Sequence, residues 1–171
     1  MDDPRHTTLR TALGDLTLSA AGEALTGLYF PGHWHPPTAE DLGAPVEADV
    51  DPLLARTREQ LEQYLAGERR GFDLPLTTHG DAFSERVWAL LREIPYGETT
   101  TYGALAERLG SRGLAQRVGQ CVGRNPLSIL VPCHRVVGAD GSLTGYAGGL
   151  ERKRALLELE EPAEHAAERL F

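Results

Sequence analysis

From Thr7 to Phe30 apolar residues come in short alternating sets: Leu16 and Leu18, then Leu25, Leu28 and Phe30, preceded by Thr8, Arg10 and Ala12. The sets are separated by Leu13-Gly14-Asp15 and Ala21-Gly22-Glu23. A period of two broken by glycine turns predicts hairpin strands. Pro31 to Val50, rich in proline, glycine and acid, predicts a loop. The period then changes. Asp51-Pro52 supplies an N-cap and an N1 proline, and Leu54, Leu61 and Leu65 recur at helical spacing as far as Gly67. Phe72 to Leu76 reads as a short extended segment or connector, and a lobe boundary falls after Gly80.

In the second half, Phe83, Val87, Leu90, Leu91 and Ile94 predict a helix from Ala82 to Ile94, stopped by Pro95. Thr101 caps a short helix, Tyr102 to Leu109, and a second runs from Leu114 to Val122 between Gly110 and Gly123. Such a pair is either a helix-turn-helix or two helices that merely pack. Asn125-Pro126 signals a turn, after which Ile129 to Val131 and Arg135 to Val137 predict extended pieces around Pro132-Cys133-His134. Gly145 to Gly149 is a loop whose small residues let a flat ligand approach the backbone, and Leu150 to Glu160 predicts a last helix. The acidic tail beyond Glu161 is read as peripheral. The whole pattern predicts a two-lobe α/β protein. Residues 1–80 form a hairpin sheet with a helix, and residues 81–171 form a mostly helical lobe with a helix-turn-helix and short active-site strands.

The 171 residues suffice for one core or for two small lobes sharing an interface. No apolar run approaches a membrane span, and Met1-Asp2-Asp3-Pro4 lacks a secretory pattern, so a soluble, cytoplasmic protein is expected. His33 and His35 form an HxH pair without a third ligand nearby and read as surface loop histidines. Cys121 and Cys133 make no zinc pattern with the histidines, so reduced thiols and no metal or other cofactor are expected. The net charge of −8 hides an uneven distribution: residues 1–83 carry −8, residues 84–154 carry +4 and residues 155–171 carry −4. Arg108, Arg112, Arg117, Arg124 and Arg135 lead into the Cys133 segment against Glu107 alone. That run suits a phosphate backbone, or else forms a solvated face.

A thiol beside an imidazole reads as an activated nucleophile, because the imidazole can take the proton and only the thiolate attacks. The alternative is a buried cysteine that packs, and for Cys121, between Val118 and Val122, packing is the reading adopted.

Several motifs together resemble the O6-alkylguanine-DNA alkyltransferases, or methylated-DNA–protein-cysteine methyltransferases. They are Asn125-Pro126, the run Ile129 to Val137 with Pro132-Cys133-His134-Arg135, and Tyr146-Ala147-Gly148-Gly149. The resemblance reaches back through Ile94-Pro95-Tyr96-Gly97-Glu98 and Thr101-Tyr102-Gly103, and forward to Arg152-Lys153-Arg154. It covers residues 82–160, with a less distinctive likeness in the first lobe. It implies direct-reversal DNA repair, in which an alkyl group on O6 of guanine moves irreversibly to Cys133 and the protein is spent. His134 would take the thiol proton through a water, Glu160 would orient and charge His134, and Asn125 would brace the turn. Tyr102 would rotate the nucleotide out of the duplex and give a proton to the departing guanine. Tyr146, Ala147, Gly148 and Gly149, with Val136, would wall the guanine pocket and leave room for substituents larger than methyl.

The implied partner is double-stranded DNA carrying O6-alkylguanine, bound through Tyr102, Gln116, Arg117, Gln120, Arg124 and Arg135. A monomer is expected in solution, with O4-alkylthymine repair and cooperative assembly on DNA left open. One departure stands out. Where the family's helix has the arginine that fills the gap left by the flipped base, this chain has Gln116, and the arginine is displaced to Arg117. One residue is about 100° of helix rotation, so the two cannot substitute in place; Gln116 is taken as the filler and Arg117 as a phosphate contact. The cysteines and histidines that bind zinc in some members' first lobe are not supplied here in that pattern. Two other readings are a lesion sensor, though related sensors lack the acceptor cysteine, and a thiol hydrolase, though no oxyanion hole is indicated.

Overall fold

The computed structural model describes residues 3–162. Its first half is built on a four-stranded sheet in the order β3-β2-β1-β4. β1 (Pro4–Thr11) and β2 (Gly14–Ala21) pair antiparallel across Ala12-Leu13, and β3 (Ala24–Tyr29) adds to β2 with a bulge at Ser19/Ala20. Leu9, Leu16, Leu18, Ala20, Leu25 and Leu28 are buried, while Thr8, Arg10 and Ala12 face solvent.

The proline-rich loop carries more structure than its composition announces. Thr38 and Asp41 close a capping box that starts a single helical turn, α1 (Ala39–Leu42), and β4 (Ala44–Pro45) returns parallel to β1 at the sheet edge, where proline is tolerated. Gly43 between them has φ 64, and a Cβ there would lie 1.9 Å from the Pro4 carbonyl oxygen, so only glycine fits. α2 (Pro52–Leu65) begins at Asp51, whose carboxylate accepts from the Leu54 N–H, and buries Leu54, Leu61 and Tyr64.

The connector touches β3 on its way across, with Leu25 N–H donating to the Pro75 carbonyl at 2.8 Å and Thr77 N–H to that of Leu25 at 2.9 Å. α3 (Ala82–Leu91) is capped by Asp81 and stops short of Ile94, which a single turn from Leu91 places in the core. β5 (Thr100–Thr101) leads into α4 (Tyr102–Arg108), capped by the Thr101 hydroxyl. A 3-10 turn at Arg112–Leu114 then gives α5 (Ala115–Gly123), so the two short helices expected are present. β6 (Val136–Val137) pairs parallel with β5, and α6 (Leu150–Glu160) closes the described chain. The buried apolar residues of both halves form one continuous core. A bridge between Leu28 of β3 and Leu127 joins the halves, where Leu28 N–H donates to the Pro126 carbonyl at 2.8 Å and Ser128 N–H to that of Leu28 at 3.2 Å. Among the described residues no helix is long and apolar enough to cross a membrane. The tail beyond Pro162 lies outside the described residues.

Candidate active site

The backbone around Cys133 is not the extended strand its β-branched residues suggest. Ile129 has φ 71, a left-handed conformation that costs a β-branched residue about 1–3 kcal/mol and persists only where the surroundings over-determine it. Asn125 does so. Its amide donates to the Val131 carbonyl at 2.9 Å and accepts from Leu127 N–H at 3.0 Å, while Val131 N–H donates to the Leu127 carbonyl at 2.8 Å. The braced turn delivers the chain into a 3-10 turn, Cys133–Arg135, before β6 begins. With three residues per turn, Cys133 and His134 project about 120° apart instead of to opposite faces of a strand.

Cys133 is 3% exposed. Burial pushes its thiol pKa up, opposed by the Asn125 amide, the Lys153 ammonium, the backbone and the Tyr146 hydroxyl. His134 is fully buried, and its Nε2 lies 2.8 Å from Oε2 of Glu160. Burial raises the pKa of Glu160, but hydrogen bonds from His134 and Arg135 outweigh it and bring the carboxyl from about 4.5 down to about 2. An ionised carboxylate only accepts, so Nε2 carries the proton and Nδ1 holds the lone pair. That Nδ1 is buried with no hydrogen-bond partner among the described residues. Burial also lowers the His134 pKa, so the resting ring is neutral and able to accept a proton.

Lys153, which sequence reasoning left without a role, brings a positive charge that favours the Cys133 thiolate. Its Nζ donates to the Val136 carbonyl at 2.6 Å and the Thr144 carbonyl at 3.0 Å, and burial lowers its pKa to about 8, leaving it largely charged at neutral pH. A signal existed: Lys153, Leu156 and Glu160 share one buried stripe of α6 at i, i+3, i+7 spacing, masked by the Arg152-Lys153-Arg154 charge run. Tyr102 opens α4, and its hydroxyl accepts from Thr144 Oγ1 at 3.0 Å, leaving its own proton to donate. Burial raises its pKa, so the phenol stays protonated at neutral pH.

Tyr146, Ala147 and Val136 are buried, and the Tyr146 hydroxyl makes no hydrogen bond of good geometry among the described residues. Two of the neighbouring glycines make room for packing. A Cβ on Gly148 would lie 2.3 Å from the Phe30 ring, and one on Gly145 would lie 2.7 Å from Trp34, so both accommodate aromatic rings of the first half. Trp34 N–H donates to the Ala147 carbonyl at 3.1 Å, and Arg152 bonds the carbonyls of Leu13, Pro31 and Gly148. Gly149, at φ 94, caps α6 and has open space around it.

On the helix pair, Gln116, Gln120 and Arg124 are exposed, and Arg117 stacks its guanidinium 3.9 Å from the Phe83 ring centroid. Arg135 requires correction. It is 8% exposed, forks onto both oxygens of Glu160 at 2.7 and 2.8 Å and donates to the Ile94 carbonyl at 2.6 Å, so it is an internal ion pair and not a DNA contact. Arg108 and Arg112 likewise pair with Glu93 and Glu107, which leaves Arg117 and Arg124 of the basic run outside ion pairs among the described residues. His33 is buried edge-on to Tyr29, contrary to a surface reading, and no group of three metal-binding side chains exists among the described residues.

Comparison with known proteins gives two adjacent matches. Residues 5–78 match the ribonuclease-like domain of 6-O-methylguanine DNA methyltransferase, and residues 82–162 match its DNA binding domain. The chain belongs to this family. A methylated-DNA–protein-cysteine methyltransferase of Mycobacterium tuberculosis is 45% identical over 174 residues, covering 97% of this chain and 98% of the relative. The constitutive enzyme of that name from Bacillus subtilis is 40% identical over 156 residues, covering 91% and 94%. The crystal structure of Mycobacterium tuberculosis OGT in complex with DNA superposes with a TM-score of 0.83 at 44% identity, covering 91% of this chain and 92% of that one. For a 6-O-methylguanine DNA methyltransferase the two-lobe α/β architecture, with its four-stranded sheet and helical second half, is the family's fold.

Proposed function

We propose that this protein removes alkyl groups from O6 of guanine in duplex DNA and retains them on Cys133. The observation that carries the reading is the His134 ring, protonated at Nε2 toward Glu160 and bare at Nδ1, in the residue next to a buried thiol. Sγ attacks the alkyl carbon, the S–C bond forms as the C–O6 bond breaks, and the bonding pair leaves on guanine. The thiol proton passes through one water to His134 Nδ1, and the Tyr102 hydroxyl protonates the departing base. Lys153 supports the developing thiolate, and Asn125 fixes the turn that aims it. Because a stacked base shows no path to a buried thiol, the nucleotide is extruded first, at a cost of a few kcal/mol that a damaged pair lessens. Gln116 enters the gap.

The test is intact-mass analysis after mixing with a duplex containing O6-methylguanine. One methyl group should appear, on the peptide containing Cys133, and never in Cys133→Ala. Binding of the lesion by the unsubstituted protein without any methyl uptake would instead make it a sensor.

A further inference from the structure

Glu160 is held by more than the two residues beside the thiol. Its Oε1 accepts from Arg135 Nε at 2.7 Å, and its Oε2 accepts from Arg135 Nη2 at 2.8 Å, from His134 Nε2 at 2.8 Å and from the hydroxyl of Tyr64. Tyr64 belongs to α2 in the first lobe, 96 residues away in the chain, and is fully buried. Its ring packs against Phe72 and Tyr96, with centroids 5.2 and 6.3 Å apart. The carboxylate can only accept, so the phenol donates.

We propose that Tyr64 is a positioning residue for alkyl transfer: its hydroxyl, donated across the lobe interface, holds Oε2 of Glu160 toward His134 and moderates the pull of that oxygen on the ring. His134 and Tyr64 compete for the same oxygen, so each donor weakens the bond available to the other. Removing the phenol proton leaves Oε2 a stronger acceptor for Nε2–H, which stabilises the imidazolium and raises the pH at which His134 ceases to be a free base. Among the described residues, the other charged or titratable groups around the pair include Arg135 on the 3-10 turn, Lys153 on α6, and Tyr96, whose hydroxyl donates to the Leu159 carbonyl at 3.1 Å beneath Arg70. None of these replaces the Tyr64 donor, because Arg135 already uses both forks on Glu160.

The inference rests on the alkyl-transfer reading. Its test is the acid limb of the pH–rate profile for methyl transfer to Cys133 from an O6-methylguanine duplex. In Tyr64→Phe, which keeps the ring packing, that limb should move to higher pH by about half a unit to one unit, as expected for loss of one donor to a carboxylate. A purely structural role would lower the rate by the same factor at every pH, and an unmoved limb overturns the proposal. Replacing Tyr64 alone by 3-fluorotyrosine, a stronger donor, should move the limb the opposite way, and this arm decides the matter if Tyr64→Phe does not fold. Absence of methyl uptake by the unsubstituted protein defeats the proposed function itself, whereas normal uptake with unmoved limbs defeats only the role of Tyr64.

Discussion

Lys153 is a largely protonated ammonium whose charge favours the Cys133 thiolate, and two carbonyls hold it in place. Lys153→Met keeps the apolar stem and removes the charge. The Cys133 thiol, already pushed up by burial, then loses one of the groups opposing that shift. Methyl transfer at pH 7 should slow by about tenfold, the effect of one unit in the nucleophile's pKa. Single-turnover kinetics followed by mass would show it, and an unchanged rate would remove Lys153 from the chemistry. Cys133, His134, Asn125 and Glu160 could be singled out from the sequence because motif and chemistry coincide there. The role of Lys153 was hidden in a charge run, and Arg135 was read as a DNA contact because its pairing depends on a carboxylate 25 residues away.

At the scale of elements, the capped helices were readable because their signals are local: Asp51-Pro52 starts α2, Asp81 starts α3 and Thr101 starts α4. The turn before Cys133 was not, because Ile129 and Val131 favour extension and the hydrogen bonds of Asn125 override them. α5 is the element on which duplex recognition turns. Arg117 rests on Phe83 of α3, whereas Gln116 has no side-chain partner among the described residues. Arg117→Ala should weaken duplex binding at every sequence and reduce the slope of log affinity against log salt by about one. Gln116→Ala should leave that slope unchanged and slow transfer from duplex more than from a single-stranded oligonucleotide, where no gap opens. Titrations across a salt series, paired with transfer rates on both substrates, separate the two; equal salt slopes for both variants would refute the assignment.

At the scale of the molecule, the first half reaches the site repeatedly: β3 bonds the Pro126-Leu127-Ser128 backbone, Phe30 and Trp34 pack on the 145–149 loop, and Tyr64 bonds Glu160. Such contacts leave no local periodicity, which is why hydrophobic patterning showed the main helices and the first hairpin strands yet nothing of this coupling. Glu160 also ties stability to pH. Its folded pKa of about 2 lies below its ordinary 4.5, so its contribution is fully present above pH 4.5 and is lost as pH falls toward 2. Glu160→Gln leaves Arg135 buried without its counter-charge and should cost about 3–5 kcal/mol at pH 7. Urea unfolding at pH 7 and pH 3 would check both points: the unsubstituted protein should lose stability between them through this group, and the variant should lack that portion of the loss.

The burial of Cys133 bears finally on time. On the proposed chemistry the sulfur is used once and never regenerated, so each molecule must wait intact, for as long as the genome stays undamaged, before its one encounter. Peroxides and stray electrophiles consume thiolates far faster than thiols, and they need a path to the sulfur. At 3% exposure, with burial holding the proton on, Cys133 offers neither. The features that make the sulfur dependent on His134, Lys153 and an extruded base for its reactivity are therefore also what preserve it through storage.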